Sequence, residues 1–258
     1  MVHAGKAHGS RGNHMALLTV TGLTKMFGQF RALDGIDLVV RAGTFHGLIG
    51  PNGSGKSTLL KAIAGAHAPT SGSIRFDGMD ITGSLPFRRA RAGLSLKFQI
   101  ASIFPELSTY DNVLLALQAR DGLPSLLGSR TRRILDAEAM AALDRFRLTD
   151  RADDLAGELS HGQQQWLEIS LALASRPKLL LLDEPTAGMS PEERRLTGEL
   201  LRPIRSYCTL VIVEHDIDFI KNLCDHLTVL DQGRVLDEGS VEQIERSIKV
   251  REVYTSRV

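Results

Sequence analysis

Thr44-Phe45-His46-Gly47-Leu48-Ile49 runs directly into Gly50-Pro51-Asn52-Gly53-Ser54-Gly55-Lys56-Ser57-Thr58. The first stretch is a compact apolar strand. The second is a glycine loop, and Lys56 to Ala64 then reads as a helix that Gly65 ends. Gly50, Gly55, Lys56 and Ser57 fit G-x-x-x-x-G-K-[ST]. A strand before and a helix after are the context that this pattern needs. Glycines let backbone N–H groups wrap phosphate oxygens without Cβ clashes. The helix start adds about half a positive charge. Lys56 offers a point charge to β and γ phosphates, and Ser57 offers a hydroxyl to an octahedral Mg²⁺ shell. The competing reading, a chance glycine-rich turn, does not account for the matched flanks.

Downstream, Leu179-Leu180-Leu181-Leu182-Asp183-Glu184-Pro185 is a buried strand that ends in acid. Asp183 is placed to hold Mg²⁺ through water, as in other phosphate-loop NTPases. Glu184 is the better candidate for polarising an attacking water. Adjacent strand residues point to opposite sides, so the two need not share a role. Taken alone, the pair could equally be solvated acids at a strand end. Between the two motifs lies Leu159-Ser160-His161-Gly162-Gln163-Gln164-Gln165. Ser160 is a natural N-cap, and Gln163 completes a capping box. A helix start of this kind also presents N–H donors to an anion.

The rest of the chain alternates β and α. Strands are expected at Leu17 to Leu23, Ile36 to Val40, Ser73 to Phe76, Leu94 to Phe98, Lys178 to Leu182, Thr209 to Val213, Leu227 to Leu230 and Val235-Leu236. The first two form a hairpin that opens an N-terminal antiparallel β subdomain. Helices are expected at Gln163 to Ser175, Pro191 to Ser206 and Asp216 to Leu223, with a charged helix closing the chain. Ser190, Pro191, Glu192 and Glu193 supply the cap, the first position and the acidic first turn of the second. Apolar residues from Val113 to Phe146 fall at helical intervals, so a helical subdomain at about residues 100–175 interrupts the core. The fold class is α/β: a phosphate-loop NTPase core with a mainly parallel sheet covered on both faces. Residues 1–14 read as a disordered leader or cloning remnant, and residues 15–258 as one ATPase domain.

The 258 residues carry a formal net charge of +1, which gives no electrostatic reason to expect nucleic acid. Hydrophobic residues make up 43% and charged residues 24%, as in ordinary globular domains. No apolar run reaches the ~18 residues of a membrane span. Cys208 and Cys224 have no metal spacing and read as buried reduced thiols, which fits a cytosolic address.

In their order along the chain, these motifs resemble the ATP-binding-cassette (ABC) family, from Leu17 onward. The family's signature is usually Leu-Ser-Gly-Gly-Gln, and here His161 stands where a glycine is common. The resemblance implies ATP and Mg²⁺ sandwiched head to tail between two cassettes, identical or not. Each site would join Phe27, Gly50, Pro51, Asn52, Gly53, Ser54, Gly55, Lys56, Ser57, Thr58, Gln99, Asp183, Glu184 and His215 of one copy to Ser160, Gly162 and Gln163 of the other. Phe27 corresponds to the aromatic that stacks on adenine, although a lone Phe is more often core. Gln99 corresponds to the glutamine that touches metal and water, with Ser57 and Asp183 as the other metal-side residues. His215 corresponds to the switch histidine, although such a residue is otherwise an ordinary helix-entry histidine. Ala187 to Ser190 sits where the dimer-contacting D-loop lies, without its usual Asp.

A cassette with no fused span implies integral membrane permease subunits and, indirectly, a periplasmic solute-binding protein, with the chain peripheral on the cytoplasmic face of the inner membrane. Phe104, Leu107 and Tyr110 are candidate anchors for a permease helix, or else they pack the helical subdomain. The later motifs and the tail from Val229 to Tyr254 resemble importers of branched-chain amino acids and of urea or short amides. The surroundings of Trp166, Gly188-Met189 and residues 250–254 lean to the urea branch. Alternatives are a lipopolysaccharide-export cassette, suggested by Ala101 to Phe104 and Tyr110 to Asn112, a cassette of translation or DNA repair, and a non-hydrolytic switch.

Overall fold

The computed structural model describes residues 16–97, 103–121 and 131–255. Strand β1 (Ala16–Phe27) pairs antiparallel with β2 (Phe30–Arg41) and, on its other side, with β4 (Ser71–Phe76). The short β5 (Met79–Asp80) extends this sheet to the order β2-β1-β4-β5. Both hairpin strands run well past the expected bounds, because their ends are half-exposed and lack the clean apolar alternation that marks a strand in sequence.

The second sheet has the order β10-β9-β3-β8-β7-β6 among the described residues. Its strands are β3 (Phe45–Ile49), β6 (Leu94–Lys97), β7 (Leu179–Asp183), β8 (Thr209–Val213), β9 (His226–Asp231) and β10 (Arg234–Ser240). All neighbours are parallel except the edge pair β9 and β10. The four leucines of β7 show why a parallel strand reads as a continuous apolar run. Leu180 and Leu182 enter the core shared with the helical subdomain, while Leu179 and Leu181 enter the core under the antiparallel sheet. In β8, Leu210 and Ile212 divide from Val211 and Val213 in the same way.

Helix α1 (Lys56–Ala64) matches its expected bounds. Helix α2 (Pro86–Arg91) was not foreseen, being only six residues long with no apolar period. Helices α3 (Thr109–Asp121), α4 (Thr131–Arg145) and α5 (His161–Ala174) pack on one another as the helical subdomain. Helix α6 (Pro191–Leu201) is shorter than the expected Pro191 to Ser206 and passes into a 3₁₀ turn over Arg202–Ser206. Pro203 is the cause: it lacks an N–H, and its ring would meet the carbonyl one turn back. Helix α7 (Ile217–Leu223) starts on its cap Asp216. The closing charged helix is two helices, α8 (Val241–Arg246) and α9 (Ile248–Thr255). Ser247 breaks them apart in an extended conformation, and its hydroxyl bonds the Asp237 carboxylate.

Candidate functional site

Parallel strands bring their carboxyl ends to one edge, where α/β sheets hold ligands. The register pairs Val213 with both Leu48 and Asp183. The glycine loop after β3, the acids after β7 and the histidine after β8 therefore start from one level.

Gly50 has φ 148°, and a Cβ there would lie 2.1 Å from the Leu230 carbonyl oxygen, so only glycine fits. Gly55 caps α1 without any side-chain hydrogen bond, unlike Ser160, Ser190 and Ser240, each of which forms a full capping box. The first N–H groups of α1 are thus open to an anion. Lys56 is buried, and its Nζ donates to the carbonyls of Gly50 and Pro51, each at 2.9 Å. Burial pulls its pKa below the usual lysine range, with Glu184 and Asp183 pulling it back up. Ser54 Oγ is buried in the loop with no hydrogen-bond partner.

Ser57 Oγ donates to Asp183 Oδ1 at 3.1 Å. Asp183 is only 3% exposed, and burial pushes its carboxyl above the usual range against the Ser57 hydrogen bond. These are hard oxygen donors, suited to Mg²⁺. Among the described residues no group of three or more His, Cys, Asp or Glu could enclose a metal ion.

Glu184 does not continue the strand. It takes φ 50°, its N–H donates to Val213 O at 2.9 Å, and its carboxylate is turned to His215, whose Nε2 donates to Oε1 at 2.9 Å. Its separation from Asp183 thus comes from a left-handed residue, not from strand alternation. A non-glycine residue held there costs roughly 1–3 kcal/mol, and such strain concentrates at functional sites. Glu214, immediately before His215, was not among the expected site residues. It is buried, its Oε1 accepts from Thr186 N at 2.8 Å and Thr186 Oγ1 at 2.6 Å, and its Oε2 accepts from His215 N at 3.1 Å. Glu214 therefore ties the turn after Glu184 to the residue that faces Glu184. The sequence signal was an acid set immediately before the histidine.

The other expected residues divide. Phe27 is 45% exposed at the end of β1, edge-on to His67 at 5.3 Å with Lys25 Nζ at 5.0 Å from its ring. It is a surface aromatic, open to a flat ligand, and not core. Asn52 and Gly53 are exposed on the loop and Thr58 is half-buried on α1. Gln99 lies outside the described residues, as do Ala101 and residues 1–14. Ser160 and Gln163 form the expected capping box at the start of α5, and Gly162 is buried beneath them against Glu193. Among the described residues no hydrogen bond or ion pair joins this turn to residues 50–58 of the same chain. Of the three candidate permease anchors, Phe104 is 57% exposed and Leu107 half-buried. Tyr110 is buried and its hydroxyl donates to Asp136 Oδ1 at 2.8 Å, so it packs the helical subdomain and is no anchor. Cys208 and Cys224 are both buried free thiols, as expected.

Known proteins resemble the chain over most of its length. The family described as ABC transporter matches residues 33–187. The high-affinity branched-chain amino acid transport ATP-binding protein BraF of Pseudomonas aeruginosa is 36% identical over 247 residues, covering 92% of this chain and 97% of that protein. A crystal structure of the ADP conformation of an ATP-binding cassette of an ABC transporter superposes with a TM-score of 0.83 at 30% identity, covering 94% of this chain and all of that one. A dimeric, post-hydrolysis ATP-binding cassette bound to ADP and Pi gives 0.75 at 27% identity, covering 87% and 98%.

Proposed function

Because the chain belongs to the ABC transporter family, whose cassettes are ATPases coupled to transport, we propose that it powers uptake of a small polar solute through separate permease subunits. The observation that carries this is the convergence of the uncapped start of α1, Lys56, Ser57, Asp183, Glu184 and His215 on one sheet edge.

Phosphoryl transfer needs positioning and charge stabilisation more than covalent chemistry. The glycine loop and Lys56 hold the phosphates. Lys56 Nζ rests on two loop carbonyls and exchanges these for phosphate oxygens. Ser57 and Asp183 would hold Mg²⁺, which would supply positive charge to offset that of the phosphates. Glu184 accepts the proton of the attacking water, and His215 holds the Glu184 carboxylate in place before the γ phosphate arrives. Phe27 offers its open ring to the adenine.

A second cassette supplies Ser160, Gly162 and Gln163 to each site. The dimeric relative supports this. The exposed Phe104 suits a permease contact. As in other ABC transporter assemblies, membrane permease partners would supply the path, with this chain at the cytoplasmic face; no helix among the described residues is long and apolar enough to cross a membrane. The name of the Pseudomonas relative favours a branched-chain amino acid as solute; the urea and short-amide class and delivery by a periplasmic binding protein rest on the sequence resemblance.

Titration calorimetry with ATP tests the nucleotide assignment. Lys56→Ala is expected to lose ATP affinity by at least ~10-fold, the loss of one charge-assisted contact. Unchanged affinity would remove the loop from the site.

A further inference from the structure

The one departure from the usual signature is also the residue that bridges it to another functional turn. His161 Nε2 lies 2.9 Å from the carbonyl oxygen of Ala187, in the turn that follows Glu184. A carbonyl only accepts, so Nε2 carries the proton. The turn itself is built for this contact. Gly188 has φ 74°, and a Cβ there would come within 3.0 Å of His161 Nε2. A side chain at residue 188 would thus be strained and would press on the imidazole.

Other contacts hold the same two segments together. Gly162 packs so closely on Glu193 that a Cβ would lie 2.5 Å from Oε1. Trp166 Nε1 on α5 donates to Thr197 Oγ1 at 2.8 Å, and that hydroxyl lies 3.3 Å from Met189 Sδ. Ala187 N donates back to Glu184 O at 3.2 Å, and Thr186 is fixed by Glu214. An unbroken path of bonded groups therefore runs from the signature turn through His161 and Ala187 to Glu184. A glycine at residue 161 would have no side chain to make the first link.

We propose that His161 is a positioning residue that locks the signature turn to the Ala187–Ser190 turn of its own chain. This rests on the ATP-driven pairing proposed above. In a pair, the signature turn serves the partner's nucleotide and Glu184 serves the chain's own. The lock makes occupancy of one site set the position of the base in the other, so the two sites hydrolyse cooperatively.

The test uses the full chain. Light scattering of the Glu184→Gln chain with ATP and magnesium first shows whether two chains pair. Steady-state hydrolysis against ATP concentration is then measured for the wild type, His161→Phe and His161→Gln, with thermal unfolding of each. Phe keeps bulk without a donor, and Gln keeps an N–H donor. The wild type is expected to show a Hill coefficient approaching the number of sites. His161→Phe should fall to a coefficient near one with its thermal midpoint unchanged, and His161→Gln should restore cooperativity. A wild type without cooperativity overturns the lock. So does a Phe variant that keeps wild-type cooperativity, a loss that only tracks a lowered midpoint, or a Gln variant that restores nothing. A Glu184→Gln chain that stays single overturns the pairing and the lock together, and the scattering tells that failure from the others.

Discussion

Glu184 is held by three neighbours: Val213 O takes its N–H, His215 faces its carboxylate, and Glu214 anchors the turn that follows it. Glutamine would keep this shape and lose the base. Glu184→Gln is therefore expected to bind ATP while its turnover falls by about 10²–10⁴-fold, the usual worth of a general base. A phosphate-release assay checks this, and wild-type turnover would take Glu184 out of the mechanism. Lys56, Ser57 and Asp183 were legible in the sequence because their chemistry lies in short contiguous motifs. Glu214 was not, because its partner Thr186 is 28 positions away and only the pairing of β7 with β8 brings them together. The left-handed conformation of Glu184 was equally hidden: the Pro185 that follows biases a residue toward extended backbone, not toward φ 50°.

At the scale of elements, α1 must present its start to phosphate while its other end stays satisfied. Its amino end is left open, and its carboxyl end is closed by the left-handed Gly65, whose N–H donates to Ala62 O, together with a residue from another helix. Arg89 on α2 is buried, and its Nη1 donates to the last-turn carbonyls of Ala62 at 2.8 Å and Ile63 at 2.7 Å. Its other nitrogens reach Ser84 O at 3.0 Å and Thr82 O at 2.9 Å. A cation at a helix end also meets the negative pole of the helix dipole. Arg89→Ala removes several charge-assisted bonds, among them the bond to the Ile63 carbonyl, while Ala62 O keeps the Gly65 N–H. It is expected to cost about 3 kcal/mol or more, since bonds to charged groups contribute ~1.5–3 kcal/mol each. Chemical denaturation checks this, and a loss below ~1 kcal/mol would show that α1 does not depend on α2. The strands and long helices were legible from periodicity, with β8 and α1 matching their expected bounds. The short α2 was not, because a six-residue helix held by one buried arginine carries no repeat to detect.

At the scale of the whole molecule, the described residues form two hydrophobic cores on either side of one mainly parallel sheet, with the chemistry along the carboxyl edge. Within one chain the phosphate loop and the signature turn belong to different lobes. The fold was legible as a whole because buried parallel strands and phosphate-loop chemistry both leave contiguous signals. The proposed paired state was legible only through the family resemblance. Disulfide trapping in mixed chains addresses that state. One Glu184→Gln chain carries Asn52→Cys and the other carries Ser160→Cys, both at exposed positions. The native thiols are buried, with Cys208 pushed up to about 12 and Cys224 also raised, and so react poorly. After mild oxidation with ATP and magnesium, a non-reducing gel should show a band joining the two different chains, absent without nucleotide. Single chains alone, with ATP bound, would contradict the head-to-tail site.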